Sequence, residues 1–292
     1  MRSPFPDARA TSPVPKTTEL VPSSPWVVTL AKRVGSAVLF LPFFVWLVEY
    51  SPAWLFPAFV VLVGVVGQWE FTRMFERAGS PVYPGLGLLA GFAITASFAW
   101  PGAGPLVLTL TVAVFLSASL VKVGPSGPAW EPCALTLMGV VYVNWLLGYS
   151  LWLRALPHGA DWIFLLVWVT WVGESTAYLV GTAMGRHKLS PRISPAKTVE
   201  GAVAQLVVSL PAALAGRWWF FPECSVKDAL VVGLILGCMG QVGDLVESLL
   251  KRSARTKDTG RLIPGHGGLL DRLDSLLFNT PVLFYYARYL AT

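Results

Sequence analysis

Apolar positions along this chain gather into nine runs, at roughly 34–50, 53–72, 84–100, 105–121, 133–153, 162–183, 199–215, 226–249 and 275–291. Several approach the ~20 residues that an α-helix needs to cross ~30 Å of hydrocarbon. The pattern predicts an all-α, polytopic integral membrane protein of about nine transmembrane helices. Spans three and four are short and could be partly re-entrant or strongly tilted. Ahead of the first run, residues 1–31 are rich in Pro, Ser and Thr and read as a disordered tail without the apolar core of a cleavable signal. Residues 32–160 then form an N-terminal transmembrane region able to serve as an oligomer interface, a homodimer among the options, and 161–292 form a C-terminal catalytic region.

The polar positions are unevenly placed. Between the eighth and ninth runs, Ser248 to Asp274 reads SLLKRSARTKDTGRLIPGHGGLLDRLD, an ionisable island in a chain with only 13% charged residues. A loop that merely obeys the positive-inside rule needs Lys and Arg. Here Asp258, Asp271 and Asp274 are interleaved with the bases, and Asp244 and Glu247 lie just upstream. If the eighth helix continues through Leu250, then Asp244, Glu247, Ser248 and Lys251 fall at i, i+3, i+4 and i+7 on one face. Asp271 and Asp274, three apart at the start of the next helix, share another. Between them the glycines of PGHGG, Pro264 to Gly268, permit positive φ and close approach of backbone amides to an anion. Two carboxylate faces and a glycine turn suit a Mg2+-bound polyphosphate, because hard Mg2+ takes a few carboxylate oxygens together with water and phosphate. Lys and Arg would neutralise the remaining phosphate charge.

Composition agrees with a membrane protein: 292 residues, 54% hydrophobic, 13 Trp, and a mean hydropathy of +0.61. The net charge of +6 sits in loops between apolar runs, which speaks for orientation and for anionic lipid or phosphate contacts and against nucleic acid. Lys32, Arg33, Arg73, Arg77, Lys122, Arg186, Lys188, Arg192, Lys197 and the island all fall on one side of the alternating spans. That places the N-terminus and the polar motifs in the cytoplasm. Cys133, Cys224 and Cys238 are isolated and indicate neither a disulfide scaffold nor a zinc site.

Two further features stand out in chain order. Glu70, at the end of the second run, is an intramembrane or interfacial acid for which pairing with Arg73 at i+3 is the simplest account, and Asn144 is placed to bond a neighbouring helix. In Gly173 to Gly201, Glu174 and Tyr178 share a face, and Gly181 and Gly185 form a small-residue strip. A basic loop then ends in SPAKTVEG, Ser194 to Gly201, where Ser or Thr precedes Glu at capping spacing and amides of a helix N-terminus could face an anion.

The island resembles the signature of the phosphatidate cytidylyltransferase (CDP-diacylglycerol synthase) family, S-x-L-K-R, four residues, K-D-x-G, two residues, I-P-x-H-G-G-L-x-D-R-L-D, which is met at every specified position from Ser248 to Asp274. The flanking QVGDLVES and DSLLFNTP and the S-P-x-K-T-x-E-G element are also similar to that family, so the resemblance is specific over Gly173 to Pro281. Glu174 stands where the family usually has Asp. The resemblance implies a multi-pass enzyme of the bacterial inner membrane, its site facing the cytoplasm, that converts CTP and phosphatidate to CDP-diacylglycerol and diphosphate with Mg2+ and room for a second metal ion. It implies Asp244, Asp271, Asp274 and Glu247 as metal ligands. Asp244, Asp271, Lys257, Arg272 and His266 would be catalytic. Ser194, Lys197, Thr198, Glu200, Ser248, Lys251, Arg252, Asp258, Gly267 and Gly268 would bind substrate. Rival readings are another membrane-embedded CDP-lipid transferase, although the D-G-x-x-A-R pattern is missing, and a lipid or ion transporter, although the charges cluster in loops on one side.

Overall fold

The computed structural model describes residues 41–121, 130–260 and 267–291. The expected tail 1–31, the loop bases Lys32, Arg33 and Lys122, and His266 lie outside the described residues. Among the described residues there are nine helices: α1 (Leu41–Tyr50), α2 (Leu55–Arg77), α3 (Pro84–Ser97), α4 (Ala103–Val121), α5 (Trp130–Arg154), α6 (Gly159–Met184), α7 (Val199–Trp219), α8 (Val226–Ser253) and α9 (Asp274–Tyr289). The described part of each predicted apolar run lies on one of them, residues 34–40 of the first run being outside the described residues. Six, namely α2, α4, α5, α6, α7 and α8, are long and apolar enough to cross a membrane. The others are shorter: the 14 residues of α3 reach only ~21 Å at 1.5 Å per residue. The chain is therefore a multi-pass, nearly all-α membrane protein.

The departure from pure helix is a two-stranded antiparallel hairpin, β1 (Lys188–Ser190) and β2 (Ser194–Thr198), where the sequence pattern reads as a basic loop. It connects α6 to α7. Helices α6, α7, α8 and α9 pack in sequence order, and α9 returns onto the second half of α5; α2 and α3 pack against the π-helical turn Val140–Trp145 within α5. α5 thus joins the two halves of the chain.

Close approach inside the membrane depends on small residues and a few satisfied polar groups. A Cβ on Gly233 of α8 would stand 2.6 Å from the Ser209 carbonyl oxygen of α7, so the two backbones touch there. The Asn144 amide, as its position predicts, joins neighbouring helices: it lies 3.1 Å from Thr95 Oγ1 and 3.0 Å from the Gln68 amide, all fully buried. The outer faces carry exposed apolar side chains such as Leu106, Leu110, Val203 and Val207. Tyr50, Trp54, Trp100, Trp218, Trp219 and Tyr289 are exposed at helix ends that chain connectivity places together, opposite the hairpin, where an aromatic belt would meet a membrane interface.

Candidate active site

The hairpin end of the bundle collects the C-termini of α2, α6 and α8 and the N-termini of α7 and α9. Asp244, Glu247, Ser248 and Lys251 lie on one face of α8, as their spacing predicts. Gly243 allows that face to reach α9, since a Cβ there would stand 2.5 Å from the Asp274 carbonyl oxygen. Glu247 is 1% exposed; among the described residues its oxygens accept no hydrogen bond, and its ion-pair partner is Lys251 at 3.1 Å. The same ammonium donates to Asp271 Oδ1 at 2.8 Å. Lys251 thus stands between two acids that repel each other. Asp274 lies within electrostatic range of both Asp244 and Glu247.

Asp271 holds the end of the glycine-rich loop. Its carboxylate accepts from Lys251, from Thr259 N at 3.1 Å, from Thr259 Oγ1 at 3.0 Å and from Gly268 N at 2.8 Å, about as many donors as a carboxylate has lone-pair sites. Burial pushes this carboxyl up, but the Lys251 ammonium and the Gly268 amide outweigh it and leave Asp271 below the usual aspartate value. Gly267 has φ +85, and a Cβ on it would press against Asp271 Oδ2 at 2.9 Å, so glycine is required on both counts. Asp271 and Asp274 do not share one helix. Asp271 sits in a 3-10 turn, Leu270–Arg272, and Leu273 (φ −104) breaks the chain before α9 begins at Asp274.

The hairpin supplies the opposite wall. Lys197 Nζ lies 2.7 Å from Asp244 Oδ2, and Arg252 Nε donates to the Ile193 carbonyl at 3.1 Å, fastening the hairpin to the end of α8. Thr198 is the N-cap of α7, its hydroxyl accepting from Gly201 N at 3.2 Å. Gly181 of α6 and Gly185, the extended residue that ends it, form the expected strip, with Thr198 packed on it: a Cβ on Gly185 would be 2.5 Å from Thr198 Cγ2. Glu200 does not reach back to close a capping box. It pairs with His187, 2.7 Å from Nδ1 and 3.2 Å from the backbone N, a partner that the spacing alone does not disclose. Ser194 lies in β2, paired with Ser190. Glu174 is within interaction range of Asp274, Ser275, Asp244 and Arg272. Lys257, Asp258, Arg252 and Arg272 are exposed around the rim, and Gly268 is buried beneath it.

One residue of this site escapes the sequence pattern. Glu70 does not pair with Arg73, whose guanidinium instead lies over the Trp69 ring at 5.5 Å from the centroid. Glu70 is 1% exposed and turns into the loop, where Oε2 accepts from Leu270 N at 2.8 Å and from Thr259 Oγ1 at 3.4 Å.

The donor set fits a hard divalent cation: oxygen ligands only, a buried Glu247 carboxylate lacking hydrogen bonds, and lysines that balance acids at close range. Among the described residues, no three of the four acids bring ligand atoms within 4.8 Å of one another, as the His158 ring nitrogen and the Asp161 and Glu223 carboxylates do at the other end of the bundle. Mg2+ needs only one or two carboxylates when phosphate and water complete its octahedron.

Comparison with known proteins defines the class. The sequence profile of the cytidylyltransferase family matches residues 31–290, and the chain belongs to that family. It is 43% identical over 150 residues to the phosphatidate cytidylyltransferase of Staphylococcus aureus (strain COL) and 41% identical over 150 residues to that of Staphylococcus haemolyticus; each alignment covers 51% of this chain and 57% of the relative. The chain thus spans somewhat more than half the length of these curated relatives. It is also 32% identical over 248 residues to the uncharacterized protein YnbB of Escherichia coli (strain K12), covering 82% of this chain and 81% of that protein.

Proposed function

We propose that the protein is a phosphatidate cytidylyltransferase of a bacterial cytoplasmic membrane, with its site facing the cytoplasm, where CTP is found. A phosphate oxygen of phosphatidate would attack the α-phosphorus of CTP. The new P–O bond gives CDP-diacylglycerol, and the bond to the β-phosphate oxygen breaks to release diphosphate. A phosphate monoester is largely ionised near neutral pH, so positioning and charge neutralisation carry the reaction.

Asp244, Asp274 and Glu247, with Asp271, would hold Mg2+, which when bound lowers the charge on the triphosphate and on the departing diphosphate. Lys251 leaves Asp271 Oδ1 and Lys197 leaves Asp244 to take phosphate oxygens. Lys257, Arg252 and Arg272 on the rim draw in the nucleotide and the lipid phosphate. The Gly267 amide, Ser248 and the N-terminus of α7 at Thr198 line the way, while the Gly268 amide is held by Asp271. His266 completes the loop as a candidate phosphate or carboxylate orienter, and a second cation is compatible with the number of acids.

The observation that carries this reading is the acid–lysine pairing, Lys197 with Asp244 and Lys251 with Glu247 and Asp271, at the mouth of a membrane bundle. Such pairs exchange partners when a polyphosphate and its cation arrive together. In detergent, the purified protein should release diphosphate when given CTP, phosphatidate and Mg2+, and not when either substrate is omitted. Release that ignores phosphatidate would overturn the proposal.

A further inference from the structure

Glu70 belongs to α2, in the half of the chain that carries none of the signature, yet it is sealed against the catalytic loop. Burying a carboxylate at the end of a membrane helix costs several kcal/mol unless donors meet it. Its Oε2 accepts from the Leu270 amide and lies 3.4 Å from the Thr259 hydroxyl, while Oε1 has no hydrogen-bond partner among the described residues. Leu270 immediately precedes Asp271, and the Thr259 hydroxyl lies between Glu70 Oε2 at 3.4 Å and Asp271 Oδ2 at 3.0 Å. The loop is also shaped to the carboxylate. A Cβ on Gly260 would stand 2.5 Å from Glu70 Oε1, and one on Gly268 would stand 2.6 Å from Oε2. Gly260 thus leaves room for the Glu70 carboxylate, and Gly268 for that carboxylate together with the Thr259 hydroxyl beside it.

We infer that Glu70 is a positioning residue for nucleotidyl transfer: by gripping the Thr259–Gly260 and Gly268–Leu270 backbone it fixes where Asp271 presents its carboxylate. The inference rests on the functional reading above. Glu70 does not touch the reacting atoms, so its loss should act through the placement of Asp271, and small misplacements of a catalytic group cost up to ~100-fold in rate. In Glu70→Gln one oxygen becomes an NH2 donor and the charge that holds the loop donors is gone.

The test is steady-state kinetics with CTP and phosphatidate, together with thermal unfolding of the same preparations. Glu70→Gln should lower kcat about 30-fold or more while the KM for phosphatidate stays within about threefold and the unfolding midpoint stays near that of the unmodified protein. Gly260→Ala, whose methyl presses first on the Glu70 carboxylate, should lower kcat about tenfold. Combined with Glu70→Asp, whose acid is one methylene shorter, that penalty should fall below threefold. An active protein in which Glu70→Gln leaves kcat unchanged, or in which Gly260→Ala costs the same in both backgrounds, overturns the inference alone. An unmodified protein inert toward CTP and phosphatidate overturns the functional reading, and this inference with it.

Discussion

The Lys251 ammonium reaches 2.8 Å from Asp271 Oδ1, joining the last turn of α8 to the 3-10 turn twenty residues further on. With Glu247 at 3.1 Å on its other side, this lysine is the electrostatic keystone between the helix and the loop. Lys251→Met leaves two largely buried carboxylates facing each other, a change worth about 3 kcal/mol of stability. The expected result is a lower unfolding midpoint, largely restored by adding Glu247→Gln. A midpoint unmoved by Lys251→Met contradicts this arrangement.

Asp244 and Asp271 should be the costliest acids to neutralise. Asp244→Asn and Asp271→Asn keep size and one oxygen but lose the charge that balances a lysine and would hold a cation. Each should lose at least ~100-fold in kcat, the scale of single-group losses in electrostatic catalysis, while still inserting and purifying. Initial rates normalised to folded protein check this, and mild effects at both positions would return the acids to a structural role.

Divalent-metal dependence follows from the donor set. Activity should disappear in EDTA and return with Mg2+, because otherwise the triphosphate, the lipid phosphate and the acids share one mouth without neutralisation. Turnover undiminished in EDTA would remove the metal from the account.

Sidedness can be read with single cysteines in a background where Cys133, Cys224 and Cys238 are replaced. Lys188→Cys on the hairpin and Lys257→Cys on the loop occupy exposed positions at one end of the bundle, and His158→Cys is exposed at the other. A membrane-impermeant thiol reagent should label the first two from the cytoplasmic face and the third from the opposite face. Labelling of Lys188→Cys and Lys257→Cys from different faces would separate the two motifs.

Much of this was legible in the chain. The apolar runs are helical wherever the structure describes them because length and hydropathy are local properties, although only six of the expected nine spans are long and apolar enough to cross a membrane, and Asp244, Glu247 and Lys251 share a face because i, i+3 and i+7 must do so on any helix. The Gly181 and Gly185 strip lies against Thr198 for the same periodic reason. Glu70 was not legible: Arg73 offered a partner at i+3, whereas the donors it uses lie 189 and 200 residues away in sequence. The hairpin at Lys188–Thr198 was hidden by its bases and prolines, which read as loop. Asp271 and Asp274 were assigned to one helix because spacing cannot reveal the break at Leu273.

The most direct measurement follows the fate of the nucleotide phosphates. Purified protein would be supplied with phosphatidate, Mg2+ and CTP labelled in turn at the α- and γ-phosphorus. Attack at the α-phosphorus predicts that α-label enters the organic-soluble lipid while γ-label leaves as diphosphate. Transfer of γ-label to lipid, or no label in lipid from either position, would contradict the account.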